Sequence, residues 1–104
     1  MATYILVFGR VHQLDDKEAF ESAFYEVSRM VVQNARGIIR DELIHDSDDP
    51  HAYIMLSEWE SKEAWAEWQR APVHEEQVGG MKKYWKGQGV RICNTAFIVE
   101  KAGT

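Results

Sequence analysis

The sequence predicts an α+β domain of the ferredoxin-like class, built on one four-stranded antiparallel sheet. Four segments rich in β-branched and aromatic residues and two segments with apolar residues every three or four positions follow one another in the order βαββαβ. At 104 residues the chain is predicted to be one domain, residues 1–104. Because two helices cover only one face of such a sheet, we expect a second copy to cover the other face in a homodimer packed sheet to sheet.

The first half of the chain is predicted to form a strand, a helix and a second strand. The apolar run TYILVFGRVHQ predicts a strand, and IIRDELIHD alternates as a second one does. Asp15, with Glu18 in the capping-box position, predicts a helix start, and Gly37 predicts the helix end. The helix would bury one apolar face, formed by Phe20, Phe24, Val27, Val31 and Ala35.

The second half is predicted to form a strand, a helix and a last strand. The turn sequence SDDP predicts a hairpin that leads into the strand HAYIMLSEW. Ser61 is the expected N-cap of a helix that runs to about Arg70, where Pro72 interrupts it. A further helical piece is expected to reach about Tyr84, and VRICNTAFIVE is the predicted last strand.

Charge and cysteine content exclude several classes of function. The chain has 12 Lys and Arg against 17 Asp and Glu, which argues against binding to nucleic acid or to an anionic membrane. No segment is long enough to span a bilayer, and the N-terminal apolar run is too short for a signal peptide. The one cysteine, Cys93, cannot form an internal disulfide and is expected to be buried and inert. We therefore predict a cytoplasmic protein.

The stretch WESKEAWAEWQRAPVH holds three of the four tryptophans. Trp59 ends a strand and is predicted to belong to the core. Trp65 and Trp68 lie three residues apart and share a helical face, where they could stack on a flat aromatic ligand or pack in the core. His74 follows, either as a general base near neutral pH or as a histidine bound to solvent or backbone.

Other candidate binding residues lie outside this stretch. His45 enters a pocket if its strand face points to the helices, and otherwise it lies in a dimer interface. Tyr53 or Tyr84 could donate a hydrogen bond to a substrate, and Phe24 could contact it from the first helix. No pair of histidines has metal-ligand spacing, so we expect no metal site.

The strand end LSEWES, the helix start KEAW, a further tryptophan one turn later and then PVH together resemble the antibiotic biosynthesis monooxygenase family of dimeric α+β barrels. The resemblance extends from Tyr4 to Val99. It implies a homodimer with a substrate pocket in each subunit, between sheet and helices. In the quinol and anthrone branch it implies oxygenation without a cofactor, in which a phenolic substrate is deprotonated and passes an electron to oxygen.

Two branches of that family carry residues that this chain lacks. The heme-degrading branch has an asparagine on the first strand, where this chain has Gly9. That branch also has a histidine nine or ten residues after the position of Trp68, where this chain has Gln77 and Val78. The anthrone branch often has an asparagine on the third strand, where this chain has Met55.

The resulting functional hypothesis is a cofactor-independent monooxygenase that oxidises a small phenolic, quinol or polycyclic aromatic substrate with O2. In it Trp65 and Trp68 stack on the substrate, and His74 is the base or orients the substrate. The alternatives are a cyclase or isomerase of the same fold, with His74 as base and a tyrosine as acid, and a non-catalytic protein that binds small molecules.

Overall fold

The computed structural model describes residues 2–71, 74 and 79–103, and it confirms the ferredoxin-like α+β fold. Its single sheet has the strand order β2-β3-β1-β4, and every neighbouring pair is antiparallel. A 3₁₀ turn, Leu14–Asp16, precedes the first helix. The elements are β1 (Thr3–Val11), α1 (Lys17–Asn34), β2 (Ile38–His45), β3 (Ala52–Trp59), α2 (Lys62–Arg70) and β4 (Trp85–Asn94).

The two faces of the sheet are set by the pairing of β1 with β3. Ile5 lies opposite Ser57 and Val7 opposite Met55, and these side chains point towards the helices. Leu6 pairs with Leu56, one position along, so both side chains point away from the helices. The single chain therefore has one sheet face under its helices and one face, which includes Leu6 and Leu56, that no helix covers.

The core lies between α1 and the centre of the sheet. The side chain of Phe20 is fully buried, with its ring 5.0 Å from that of Tyr53 and 5.2 Å from that of Trp85. Val11 and Met81 complete the contacts around it. This aromatic cluster fixes the distance of α1 from the sheet, because its rings fill that space.

The helix starts and ends follow the prediction only in part. Ser61 caps α2 as expected, its Oγ accepting a hydrogen bond from the Ala64 amide at 3.1 Å. At α1 the prediction was wrong, because the 3₁₀ turn includes Asp15 and moves the N-cap to Asp16, without a side-chain capping bond. Gly37 lies two residues beyond the C-cap with φ +81°, a left-handed conformation that favours glycine.

Both ends of the last strand, β4, were predicted wrongly. It begins at Trp85, and it ends at Asn94 because Asn94 pairs with Thr3, the first residue of β1. The apolar side chains predicted to continue the strand are exposed, Phe97 by 78% and Val99 by 86%. Cys93 is exposed, not buried, because it lies on an edge strand opposite Tyr4 on the face that no helix covers.

The helical piece predicted after Pro72 falls mostly on residues 72–73 and 75–78, which lie outside the described residues. Met81 to Tyr84 form a turn rather than a helix. Among the residues with described structure, no helix is both long and apolar enough to cross a membrane.

Candidate active site

A cavity of about 590 Å³ lies between the helix-facing side of the sheet and the two helices. Its surface is mostly apolar and comes from all four strands, from both helices and from the segment before β4. All four tryptophans, Trp59, Trp65, Trp68 and Trp85, contribute to its lining. A space of this size and character is typical of small-molecule sites in proteins.

The first wall of this cavity, which we call the helical wall, consists of Trp65 and Trp68 on the inner face of α2 and of His74, which follows that helix in the chain. The two tryptophans lie three residues apart and so share one face of the helix. The ring of His74 stands edge-on to that of Trp68, with 6.0 Å between ring centroids and an interplanar angle of 83°. Its backbone amide donates to the carbonyl of Ala71 at 3.0 Å. This wall offers ring surface and an imidazole to a ligand.

The second wall, which we call the carboxylate wall, consists of Asp41 on β2 and Ser28 on α1. The Ser28 hydroxyl donates to Oδ2 of Asp41 at 2.9 Å. Burial raises the pKa of Asp41 from 3.8 to about 6, although hydrogen bonds from Ser28 and from the Glu42 amide act in the opposite direction. The wall therefore places a carboxyl group that titrates near neutral pH beside an apolar cavity.

The floor of the cavity is the ring of Trp85, which fits only because position 9 is glycine. A Cβ added at Gly9 would lie 2.3 Å from Cζ3 of Trp85 and 2.5 Å from the carbonyl oxygen of Lys86. No side chain can therefore occupy position 9 while Trp85 keeps this place. Trp59 borders the same cavity but is 2% exposed, and its indole donates to Ser57 Oγ at 2.8 Å, so it belongs largely to the fold as predicted.

A second, more open groove of about 570 Å³ lies between α1 and β2. Within it the Tyr53 hydroxyl donates to the carboxylate of Glu21 at 2.5 Å, and the Tyr53 ring stacks on His45 with 4.5 Å between centroids. Burial and the negative charge of Glu21 raise the pKa of Tyr53. Phe24 and Asp41 line both this outer groove and the inner cavity.

Comparison with known families identifies the chain. The profile of the family described as "Antibiotic biosynthesis monooxygenase" matches residues 7–78. The chain belongs to this family. No curated protein matches it.

Solved structures show the same fold at low sequence identity. A variant of SnoaB, a cofactor-independent oxygenase from Streptomyces nogalater, is 14% identical with a TM-score of 0.83, over 96% of this chain and 98% of that one. A candidate antibiotic biosynthesis monooxygenase from Bordetella bronchiseptica is 14% identical with a TM-score of 0.81, over 92% and 98% of the two chains. Its counterpart from Caulobacter crescentus is 15% identical with a TM-score of 0.80, over 92% and 91%. This family member thus has the fold of these proteins.

The structure separates the predicted site residues into three groups. Trp65, Trp68 and His74 meet at the inner cavity, where Phe24 joins them. Tyr53 and His45 face the helices but line the outer groove instead. Their roles, like those of the first group, stay predictions.

Tyr84 lines neither space. It packs at the margin of the core, and the Lys83 ammonium lies 5.0 Å from its ring centroid. The prediction that Tyr84 meets the substrate has no support in this arrangement.

Sequence reasoning missed Asp41 as a site residue. Beside Arg40 and Glu42 it reads as one more charged residue on a solvated strand. Its strand position was the available signal, because Asp41 has the same parity as Leu43 and His45, the inward side of β2. Within the described part of the chain, no group of three or more His, Cys, Asp or Glu side chains could hold a metal ion.

Proposed function

We propose that this protein is a cofactor-independent monooxygenase that oxidises a small phenolic, quinol or polycyclic aromatic compound with O2. The observation that carries the proposal is the 590 Å³ apolar cavity with tryptophans on one wall and the floor. Such a cavity suits a flat aromatic substrate, because stacking and burial both favour ring against ring. Membership of the monooxygenase family supports the same reaction class.

The proposed reaction needs three things from the protein. The cavity excludes water, the tryptophans orient the substrate, and a base accepts the proton of the phenol or of the enol form of an anthrone. The resulting anion is electron-rich enough to reduce O2 directly. For an anthrone the ring methylene becomes a carbonyl, one oxygen atom of O2 enters the product, and the other leaves as water.

His74 stands beside Trp68 and is proposed to contact the substrate, as its base or as the group that orients it. Imidazole suits either task because it titrates near neutral pH.

Gly9 and Trp85 favour the quinol and anthrone branch over heme degradation. The asparagine of the heme-degrading branch would stand at position 9, where the ring of Trp85 leaves no room for a side chain. Met55 stands at the position of the anthrone-branch asparagine and lines the cavity, so the proton must pass to another group.

Oxygen uptake with dithranol, a dihydroxyanthrone, tests the proposal. We expect uptake above the rate without protein, with incorporation of one atom of ¹⁸O2 into the product. His74→Gln should lower kcat/KM at least tenfold, whereas the matched variant His51→Gln, which lies at neither cavity, should not.

Three other outcomes would point elsewhere. Turnover of a related substrate under argon would indicate a cyclase or isomerase. Tight binding of hydroxyanthraquinones without turnover of any substrate would indicate a binding protein. A Soret band on adding hemin, with ring-cleavage products, would indicate heme degradation.

We also propose that the protein works as a homodimer in the cytoplasm. Leu6 and Leu56 lie on the sheet face without helices, and Phe97 is exposed, so a second copy would remove this apolar surface from water. Sedimentation equilibrium should give twice the chain mass. Leu56→Asp should shift the protein towards monomer, whereas Glu67→Ala on the exposed side of α2 should not; a monomeric wild type would contradict the dimer.

A further inference from the structure

Asp41 is the carboxylate among the described residues that line the inner cavity, and the proposed reaction gives it no role. It lies on β2 opposite Ser57 of β3, so its side chain points to the helix side of the sheet. Around it the cavity surface is apolar, with Phe24 from α1 and Met55 from β3. A carboxyl group in such surroundings is normally paired with a cation.

Asp41 differs from those carboxylates that have a cationic partner. Among the described residues, Asp49 pairs with Arg10, and Glu42 pairs with Arg40. No ion pair within 4.0 Å is found for Asp41 in the same part of the chain, and its hydrogen bonds come from the neutral Ser28 hydroxyl and the Glu42 amide. An ionised carboxylate has about four acceptor positions, so these two bonds leave acceptor capacity for a ligand.

We propose that Asp41 is the catalytic base that removes the proton from the phenolic substrate in the inner cavity, with Ser28 as its positioning residue. This inference rests on the proposed function for its substrate class. The substrate O–H bond breaks, its electron pair stays on the phenolate oxygen, and the proton bonds to a carboxylate oxygen of Asp41. The proton is later returned to the peroxide oxygen that leaves as water, so Asp41 is unchanged over the cycle.

Ionisable residues lie on both sides of Asp41, in the outer groove and in the inner cavity. On the outer side α1 contributes Glu21 and Arg29 to the groove that Asp41 also lines, and β2 contributes His45. On the inner side, the described ionisable residues that share its cavity are His12, His74, Lys82 and Lys86. The outer groove gives the carboxyl group a path to solvent that need not cross the substrate.

The carboxyl pKa of about 6 agrees with this geometry. The group is mostly ionised at pH 7 and is a stronger base than an exposed aspartate, because burial disfavours its charge. The active form is the ionised one, so kcat/KM should fall as the pH drops below about 6.

With Asp41 as the base, the role of His74 is to orient the substrate. A base must hold its geometry within a few tenths of an ångström, and a strand residue tied to a neighbouring helix meets this need. Asp41 is held by the β2–β3 ladder and by Ser28 on α1.

The first test compares pH profiles of kcat/KM for dithranol oxidation. Asp41→Asn should lose about 10²–10⁴-fold in kcat with little change in KM, and the acidic limb should disappear. Asp41→Glu should restore part of the rate. Ser28→Ala removes a hydrogen bond that lowers the pKa of Asp41, so its acidic limb should move to higher pH. Glu42→Gln is the matched control on the same strand, its side chain on the opposite face of the sheet, and should behave as wild type.

A second test needs no oxygen chemistry. Bound para-nitrophenol should donate a hydrogen bond to the ionised Asp41 carboxylate, and it should therefore stay neutral to a higher pH than it does in Asp41→Asn. We expect a difference of about one pH unit or more, because a phenolate beside a carboxylate places two negative charges together. Circular dichroism of each variant confirms its folding.

The two tests separate the two proposals. A para-nitrophenol shift without oxygen uptake would overturn the monooxygenase and keep the contact between Asp41 and the phenol. If Asp41→Asn takes up oxygen at the wild-type rate and keeps the acidic limb of the pH profile, Asp41 is not the base, but the monooxygenase proposal stands. If the acidic limb of the pH profile disappears in His74→Gln but not in Asp41→Asn, the base is His74 instead.

Discussion

The helical wall and the carboxylate wall of the cavity are built in opposite ways. Trp65 and Trp68 lie three residues apart on one helix, so their common direction follows from local geometry. Asp41 and Ser28 are 13 residues apart on different elements, and only the packing of α1 on β2 joins them. The ring surface for binding is therefore a local feature of one helix, whereas the reactive polar group depends on a tertiary contact.

The largest expected effect is the loss in the free energy of unfolding that results from burying the ionised Asp41 carboxylate. The pKa of Asp41 is raised in the folded state, to about 6 from 3.8. Between these pH values the folded state binds more protons than the unfolded state, so this group makes stability fall as the pH rises from about 4 to about 6. At pH 8 Asp41→Asn should therefore be more stable than wild type by on the order of 2–3 kcal/mol.

Urea unfolding at pH 4 and at pH 8 measures this difference. The advantage of Asp41→Asn should shrink towards pH 4, where the wild-type group is protonated in the folded state and close to half protonated in the unfolded state. Glu42→Gln serves as the control and should show no such trend. An equal advantage at both pH values would mean that charge burial is not the cause.

The next effect concerns Trp85, the floor that both walls share. Gly9→Ala places a Cβ 2.3 Å from this ring, and overpacking of this kind costs about 1–3 kcal/mol. Gly89→Ala is the matched control, because its Cβ would meet nothing within 4 Å and its φ is not positive. Urea denaturation compares the two, and equal stabilities would contradict the role given to Gly9.

A smaller effect is expected from the helical wall itself. Trp68→Ala should weaken binding of a hydroxyanthraquinone about tenfold, because stacking contributes about 0.5–1.5 kcal/mol beyond area burial. Trp68→Phe should lose less, since it keeps a ring. Isothermal titration calorimetry measures both, with Glu67→Ala on the same helix as control. Unchanged affinity in Trp68→Ala would exclude this wall from recognition.

The smallest effect tests whether the helical wall depends on its cap. Ser61→Ala removes the acceptor of the Ala64 amide and should cost about 1 kcal/mol in the free energy of unfolding. Ser61→Asp keeps an acceptor and should stay close to wild type. Thermal unfolding followed by circular dichroism compares the variants, and a Ser61→Asp loss as large as that of Ser61→Ala would argue against capping.

Most of the fold could be predicted from local patterns. The N-cap at Ser61 and the alternation of side chains along β3 could be predicted, because capping chemistry and strand alternation act over a few residues. The end of β4 at Asn94 was not visible, because it depends on where β1 begins. The start of α1 was misplaced because a 3₁₀ turn took up Asp15, and the local sequence does not distinguish that turn from a first helical turn.

The candidate site was predictable on one side only. Trp65, Trp68 and His74 stand close in sequence, and the structure brings them to one cavity. Tyr53 was predicted as a hydrogen-bond donor to the substrate, but its hydroxyl is bonded to Glu21 on α1 and it lines the outer groove. That partner comes from a distant element, so no pattern within β3 indicates it.

By itself, the sequence determined the order of the elements, the alternation of side chains along the strands and the aromatic face of α2, because periodicity and capping are local properties. Tertiary structure alone decided that Asp41 meets Ser28 beside an apolar cavity and that the ring of Trp85 fills the space above Gly9. The physical reason is that the pKa of a carboxyl group and the room beside a glycine depend on which atoms surround them. Those atoms come from segments far apart in the chain.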